Sequence, residues 1–203
     1  MRLILIRHGE TQWNQQRRIQ GGGSDIGLSQ VGRKQAKSLA LLLKEMEVGA
    51  IYSSPLKRAL DTARVIADSH QLAVQVESDL REIEAGELEG MAIDDLGTNF
   101  SQFLVQWRQG EGLERLPGGE SLADLGNRVW SAIQHIIGKH GQEVVVVVSH
   151  YFVILTTICR ALGLPLSHIE RVRIQVGSMS ILDFRDKSPC LVSLGDTCHL
   201  REG

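Results

Sequence analysis

Apolar positions along the chain fall into two recurring patterns. Short continuous runs, in LILIRHG from residue 3, AIYSSPLKRA from residue 50 and EVVVVVSHYF from residue 143, each stop at polar or Gly/Ser/Pro residues. Such runs read as strands, and Val144 to Val148, all β-branched, read as one buried on both faces at the centre of a parallel sheet. Between the runs, apolar residues return every three or four positions, the period of a helix with one face on a core. After Ser29, an N-cap, the residues in phase are Ala36, Leu39, Ala40 and Leu43. Ser54 with Pro55 marks a second helix start, with Leu56, Ala59, Leu60, Ala63 and Ile66 on one face. Ser121 opens a third helix through Leu122, Leu125, Val129, Ala132 and Ile136, and Val153 to Leu162 form a fourth, closed by Gly163 and Pro165. Strand and helix alternate, so the expected class is α/β.

The tail changes pattern. VRIQVG, SMSILDF and CLVSL read as short strands that complete the sheet edge as a hairpin. Residues 91 to 120 carry the weakest pattern and read as an insertion beside the site. Within it Phe103 and Trp107 lie four apart, a spacing that suits core packing or a substrate wall about equally. No linker, repeat or low-complexity segment marks a second domain, so residues 1–203 are expected to form one.

Composition narrows the function. In 203 residues, Lys and Arg (22) nearly balance Asp and Glu (24), so no overall basic field recruits nucleic acid or an anionic membrane, and any anion site must be local. The apolar run at the amino terminus is too short for a signal peptide and nothing reaches membrane-spanning length, so a cytoplasmic protein is expected. Cys159, Cys190 and Cys198 lack CxxC spacing and read as reduced, structural thiols; with His199 the last two lack the paired spacing of a zinc site, so no metal site is expected. His70, His135, His140, His168 and His199 read as surface residues.

Chemistry gathers where the strands end. In an open α/β sheet, ligands sit outside the carboxyl ends of the strands. The first strand presents Arg7 and His8 there, the second Ser53, Ser54 and then Arg58, and the third Ser149 and His150. Arginine forks match phosphate oxygens, and Arg58 in the opening turn of a helix adds the dipole of its amino end. Phosphate binding alone does not need two imidazoles. A neutral histidine is a nucleophile for a phosphoryl group, while a second, protonated one donates hydrogen bonds to the oxygens as charge spreads. The leaving oxygen also needs a proton, for which LREIEAGELEG offers Glu82, Glu84, Glu87 and Glu89; spacing does not choose among them, although Glu87 and Glu89 read as solvated loop charges. Gly21 to Gly23, without GxxxxGK[ST], read as a mobile loop rather than a nucleotide cradle.

RHGETQWN, SSPLKRALDTA, LREIEAGELEG, PGGES and VVSH, in that order, resemble the histidine phosphatase superfamily, whose members include phosphoglycerate mutases, over about residues 1 to 184. The resemblance implies a phosphoglycerate mutase-like fold, three-layer α/β/α with a mostly parallel central sheet. It implies that His8 is the phosphorylated nucleophile, that Arg7, Arg58 and His150 form the phosphate pocket, and that Glu82 is the proton donor. By the same match Asn14 and Gln20 contact phosphate or substrate, Thr11 supports their loop, and catalysis needs neither metal nor cofactor. Two departures stand out: Tyr151 and Phe152 follow His150 where glycines are usual, placing two bulky side chains at the pocket, and QGGGSDIGL is one residue longer than the usual loop, with Gly27 where proline is common.

The resulting expectation is a metal-independent phosphomonoesterase that hydrolyses a small phosphorylated metabolite through a phosphohistidine. The alternatives are a phosphoglycerate mutase and a phosphate-binding regulatory protein whose turnover Tyr151 has blocked. α-Ribazole phosphate, phosphoserine, phosphoglycerate and sugar phosphates stay open as substrates, as does a homodimer.

Overall fold

A computed structural model describes residues 1–97, 107, 114–185 and 188–200. Six strands, β1 (Arg2–Arg7), β2 (Val48–Ser53), β3 (Val74–Val76), β4 (Val144–Ser149), β5 (Met179–Arg185) and β6 (Ser188–Asp196), form one sheet in the order β3-β2-β4-β1-β5-β6. The first four are parallel; β5 and β6 add an antiparallel edge. Helices α1 (Gln12–Gln15), α2 (Gln30–Leu43), α3 (Lys57–His70), α4 (Leu122–His140) and α5 (Tyr151–Ala161) accompany them.

Strand alternation builds three layers. Leu3, Leu5, Val145 and Val147 pack into one cluster with α4 and α5, while Ile4, Ile6, Val146 and Val148 pack into the other with α2 and α3. Each central strand is thus apolar on both faces, which is why its sequence shows a continuous run rather than alternation. Ser29 and Ser121 cap α2 and α4 as expected, their hydroxyls accepting from Gly32 N and Asp124 N.

Several expectations change. α3 begins at Lys57 with Leu56 as N-cap, because the Ser54 hydroxyl, expected to start the helix, lies against His150 instead. α5 begins two residues earlier than Val153, with His150 as N-cap. VRIQVG forms no strand: Ile174 O accepts from the Arg7 guanidinium, and Gly177, turning at φ +69°, donates to Arg7 O and His8 O. Its backbone thus serves the end of β1 from beyond the strand rather than extending the ladder. β3 and α1 carry no sequence signal because one spans three residues and the other four. Phe103 and half of the expected insertion lie outside the described residues.

Of the cysteines, Cys159 is buried, its thiol pKa raised by burial, whereas Cys190 and Cys198 are exposed and not core thiols. His140 is no surface residue either: its ring nitrogens contact Tyr52 Oη and Glu143 Oε2, both at 2.9 Å. No helix among the described residues is long and apolar enough to cross a membrane.

Candidate active site

Register brings the strand ends level. Arg7 pairs with Ser149 across β1 and β4, His8 N donates to Ser149 O, and Ser54 N donates to Val148 O, so His8, Ser54 and His150 emerge together. The rings of His8 and His150 lie 5.2 Å apart, tilted by 58°.

The His8 ring has a defined tautomer. Its Nδ1 lies 2.7 Å from Gly9 O, a carbonyl that can only accept, so Nδ1 carries the proton and Nε2 keeps its lone pair. Burial, then the charges of Arg58 and Arg7, hold its pKa well below the usual 6.5. His8 is therefore a neutral imidazole at neutral pH.

His150 sits behind it, wholly buried. Its Nδ1 accepts from Arg58 Nε at 3.2 Å and its Nε2 donates to Ser54 Oγ at 2.7 Å. A guanidinium has no lone pair to offer, so this arrangement needs an unprotonated Nδ1. Burial and then the Arg58 charge likewise hold its pKa well below 6.5. The expected protonated donor is thus, in this arrangement, a neutral ring engaged at both nitrogens.

The two arginines differ. Arg58 is fully buried and also donates to Ser24 O and Gly21 O; burial draws its pKa down to about 10, which leaves it charged. Arg7 donates through Nη1 to Ile174 O and lies 5.0 Å over the Tyr151 ring, while its buried Nε has no partner among the described residues. Burial also lowers its pKa.

Glu82 is separated from its rival by its contacts. Its carboxyl oxygens accept from Ile83 N and, at the amino end of α5, from Phe152 N. Burial raises its pKa against the opposing pull of those two bonds, Arg58 and Arg7. Glu84 instead pairs with Arg81 at 2.7 Å on a half-exposed face. Glu87 is exposed as expected, but Glu89 is no solvated charge: its Oε1 accepts from Gly21 N and its Oε2 is buried. Gly21 and Gly22 are packed against the Glu82 loop, and their N–H groups go to Glu89 and Ile83 O, so they are neither a cradle nor a free loop.

Thr11, Asn14 and Gln20 form one unit. Thr11 and Asn14 make a reciprocal capping box on α1, and the Thr11 hydroxyl lies 2.9 Å from Gln20 Oε1, turning the Gln20 amide so that its buried Nε2 has no partner among the described residues. Asn14 therefore caps a turn and also lines the cavity.

That cavity holds about 480 Å³. Arg7, His8, Asn14, Gln20 and Glu82 line it; Arg58 and His150 do not. Its walls include Ile19, Ile83, Leu88, Trp107, Phe152 and Ile169, and Arg17, Arg18, Arg173 and Glu170 also border it. Tyr151 and Phe152 form a wall rather than a plug, and Trp107, edge-on to Phe152, is at once core and wall. Two buried donors unpartnered among the described residues, Arg7 Nε and Gln20 Nε2, on a cavity that the Arg7 guanidinium lines fit an oxyanion.

The sequence profile of the histidine phosphatase superfamily (branch 1) matches residues 3–197. The chain belongs to this superfamily. This histidine phosphatase superfamily member is 36% identical over 202 residues to phosphoserine phosphatase 1 of Hydrogenobacter thermophilus, covering 100% of this chain and 95% of that protein. It is 35% identical over 206 residues to the probable phosphoglycerate mutase GpmB of Yersinia pestis, covering 98% and 95%. Among solved structures, YhfR of Bacillus stearothermophilus superposes with a TM-score of 0.91 at 31% identity, covering 98% of this chain and 99% of that one. A mutant phosphoserine phosphatase of Entamoeba histolytica in complex with phosphoserine gives 0.89 at 31% identity, covering 98% and 99%. The phosphoglycerate mutase-like α/β fold is thus shared.

Sequence reasoning missed two residues near the site, Arg128 and Glu120, whose hydrogen bonds reach the Glu82 loop. As a polar position on an amphipathic helix, Arg128 reads as solvent-facing.

Proposed function

We propose that the protein is a phosphomonoesterase working through a phosphohistidine on His8, without a metal or other cofactor. The observation that carries this reading is the His8 tautomer: Nδ1–H held by Gly9 O, and Nε2 free to attack, in a cavity that also holds the raised-pKa carboxyl of Glu82. The Nε2 lone pair attacks phosphorus, the bond to the ester oxygen breaks, and that oxygen takes the Glu82 proton. The Glu82 carboxylate then takes a proton from water; the water oxygen attacks phosphorus, and the P–N electron pair returns to Nε2. Arg7, with Arg58 behind His8, offsets the charge of the transferring group.

The cavity suits a small phosphomonoester with a partly apolar body, and Arg17, Arg18 and Arg173 offer partners for a second anionic group on it. Hydrolysis of p-nitrophenyl phosphate in EDTA, with an acid-labile, base-stable phosphoryl label on His8, is the expected result. Activity surviving His8→Ala, or a label on serine or cysteine, would overturn it.

A mutase is the second reading, favoured by the likeness to the probable phosphoglycerate mutase GpmB. It requires stimulation by a bisphosphorylated primer; efficient phosphate release without one speaks for the hydrolase. Against the regulatory-protein reading, Tyr151 lines the cavity and leaves His8 and Glu82 on the same surface.

A further inference from the structure

Arg128 makes no contact with the cavity, yet every N–H of its guanidinium has a partner. Nε and Nη2 hold the Glu120 carboxylate at 2.7 and 2.8 Å. Nη1 donates to Asp79 O at 2.7 Å and Arg81 O at 2.8 Å, and Nη2 donates again to Glu82 O at 3.1 Å. These contacts match the five donors of a planar fork. Glu120 completes the grip from the other side: its Oε2 accepts from Glu84 N and its own N–H donates to Glu84 O. One ion pair thus clasps the backbone on both sides of Glu82, whose carboxyl points the opposite way, to Ile83 N and Phe152 N beside the cavity. At a second point Ser149 Oγ donates to Leu80 O, fixing the same stretch to the end of β4.

We propose that Arg128, clamped by Glu120, is a positioning residue that holds the Glu82 carboxyl where it can protonate the leaving oxygen. Among the described residues Arg128 is what fixes the three carbonyls from the α4 side, and without it the carboxyl drifts on its loop by the fraction of an ångström that matters for proton transfer. Lysine cannot substitute, because three donors on a flexible stem do not reproduce the fork. The proposal rests on the reading of Glu82 as general acid.

The test separates that role from general damage by leaving group. p-Nitrophenolate departs with little need of a proton, whereas the alkoxide of 2-phenylethyl phosphate needs one. Arg128→Lys should lower kcat/KM for the alkyl ester on the order of 10- to 100-fold while changing kcat/KM for the aryl ester less than about threefold. Glu82→Gln should give the same signature more strongly, and Arg128→Lys added to it should cost no more than about twofold further, since the group being positioned is gone. Glu120→Gln, which keeps the side-chain shape, should fall between wild type and Arg128→Lys and serves if the latter does not fold. Equal losses on both esters, or no loss on either, overturn the clamp. A wild-type protein inert toward both esters overturns the phosphatase reading and the clamp with it.

Discussion

Arg58 donates from Nε to His150 Nδ1 at 3.2 Å, and the same guanidinium holds Gly21 O and Ser24 O. One side chain therefore fixes the tautomer of the second histidine and the loop that passes over it. Lysine keeps the charge but cannot span three acceptors in this fork. Arg58→Lys is expected to leave at least one buried acceptor unpaired, at about 1–3 kcal/mol, measurable by urea unfolding. It should also cut kcat/KM by roughly 10²-fold, the scale of losing one electrostatic donor. Kinetics within threefold of wild type would show that charge alone is enough.

Two buried neutral histidines also shape stability. Well above pH 6.5 His8 and His150 are unprotonated whether folded or not. Below it the unfolded chain binds protons that the folded chain refuses, so stability falls as pH falls towards their depressed folded pKa values, by up to about 1.4 kcal/mol per pH unit for each. Glu82 has the opposite sign: its folded pKa lies above 4.5, so its contribution is present at lower pH and lost as pH rises through the folded value. Urea unfolding between pH 6.5 and about pH 5 should show a shallower slope for His150→Gln than for wild type. Identical slopes would mean that His150 is not held neutral.

What the sequence disclosed follows from where the physics is local. A β-branched run such as Val144 to Val148, ending in Ser149 and His150, announces a buried strand and what it delivers, because period and termination are both written in adjacent residues. Glu82 and Glu84, two apart on an irregular loop, go to Phe152 N and to Arg81, and that choice is made by α5 arriving from 70 residues away. Arg128 is the extreme case: its partners lie 8 and 46–49 residues off, and nothing in its own helix signals them. The neutral ring of His150 was hidden from the sequence for the same reason, since it depends on an arginine 92 residues distant.

Tyr151 carries two separable contacts. Its hydroxyl donates to Val172 O at 3.2 Å, and its ring supports Arg7. Tyr151→Phe removes only the first, so a loss of about 0.5–1.5 kcal/mol in stability with nearly unchanged kcat/KM is expected. Tyr151→Gly removes the ring and a cation–π contact of about 0.5–2 kcal/mol, so KM should rise and the ranking of substrates should change. A panel of phosphomonoesters ranked identically by wild type and Tyr151→Gly would show that this wall does not select.

Gly21 is a glycine for want of space rather than for conformation. A Cβ there would lie 2.6 Å from Ala85 Cβ and 2.7 Å from Ile83 O; a third neighbour, Glu89 Oε2 at 2.6 Å, ends a side chain that can swing aside. The first two are on the loop that carries Glu82 and cannot move without shifting it. Gly21 O in turn is held by Arg58, so the collision reaches both the proton donor and the buried cation. Gly21→Ala should therefore cost about 1–3 kcal/mol from overpacking and lower kcat/KM at least about tenfold through displacement of the acid. Gly23→Ala is the control two residues on, where the nearest neighbour of a Cβ is Glu89 Oε2 at 3.5 Å, an ordinary contact. That variant should match wild type in both urea unfolding and turnover. If the two alanines behave alike, the close approach of this loop to residues 83–85 is not what Gly21 permits.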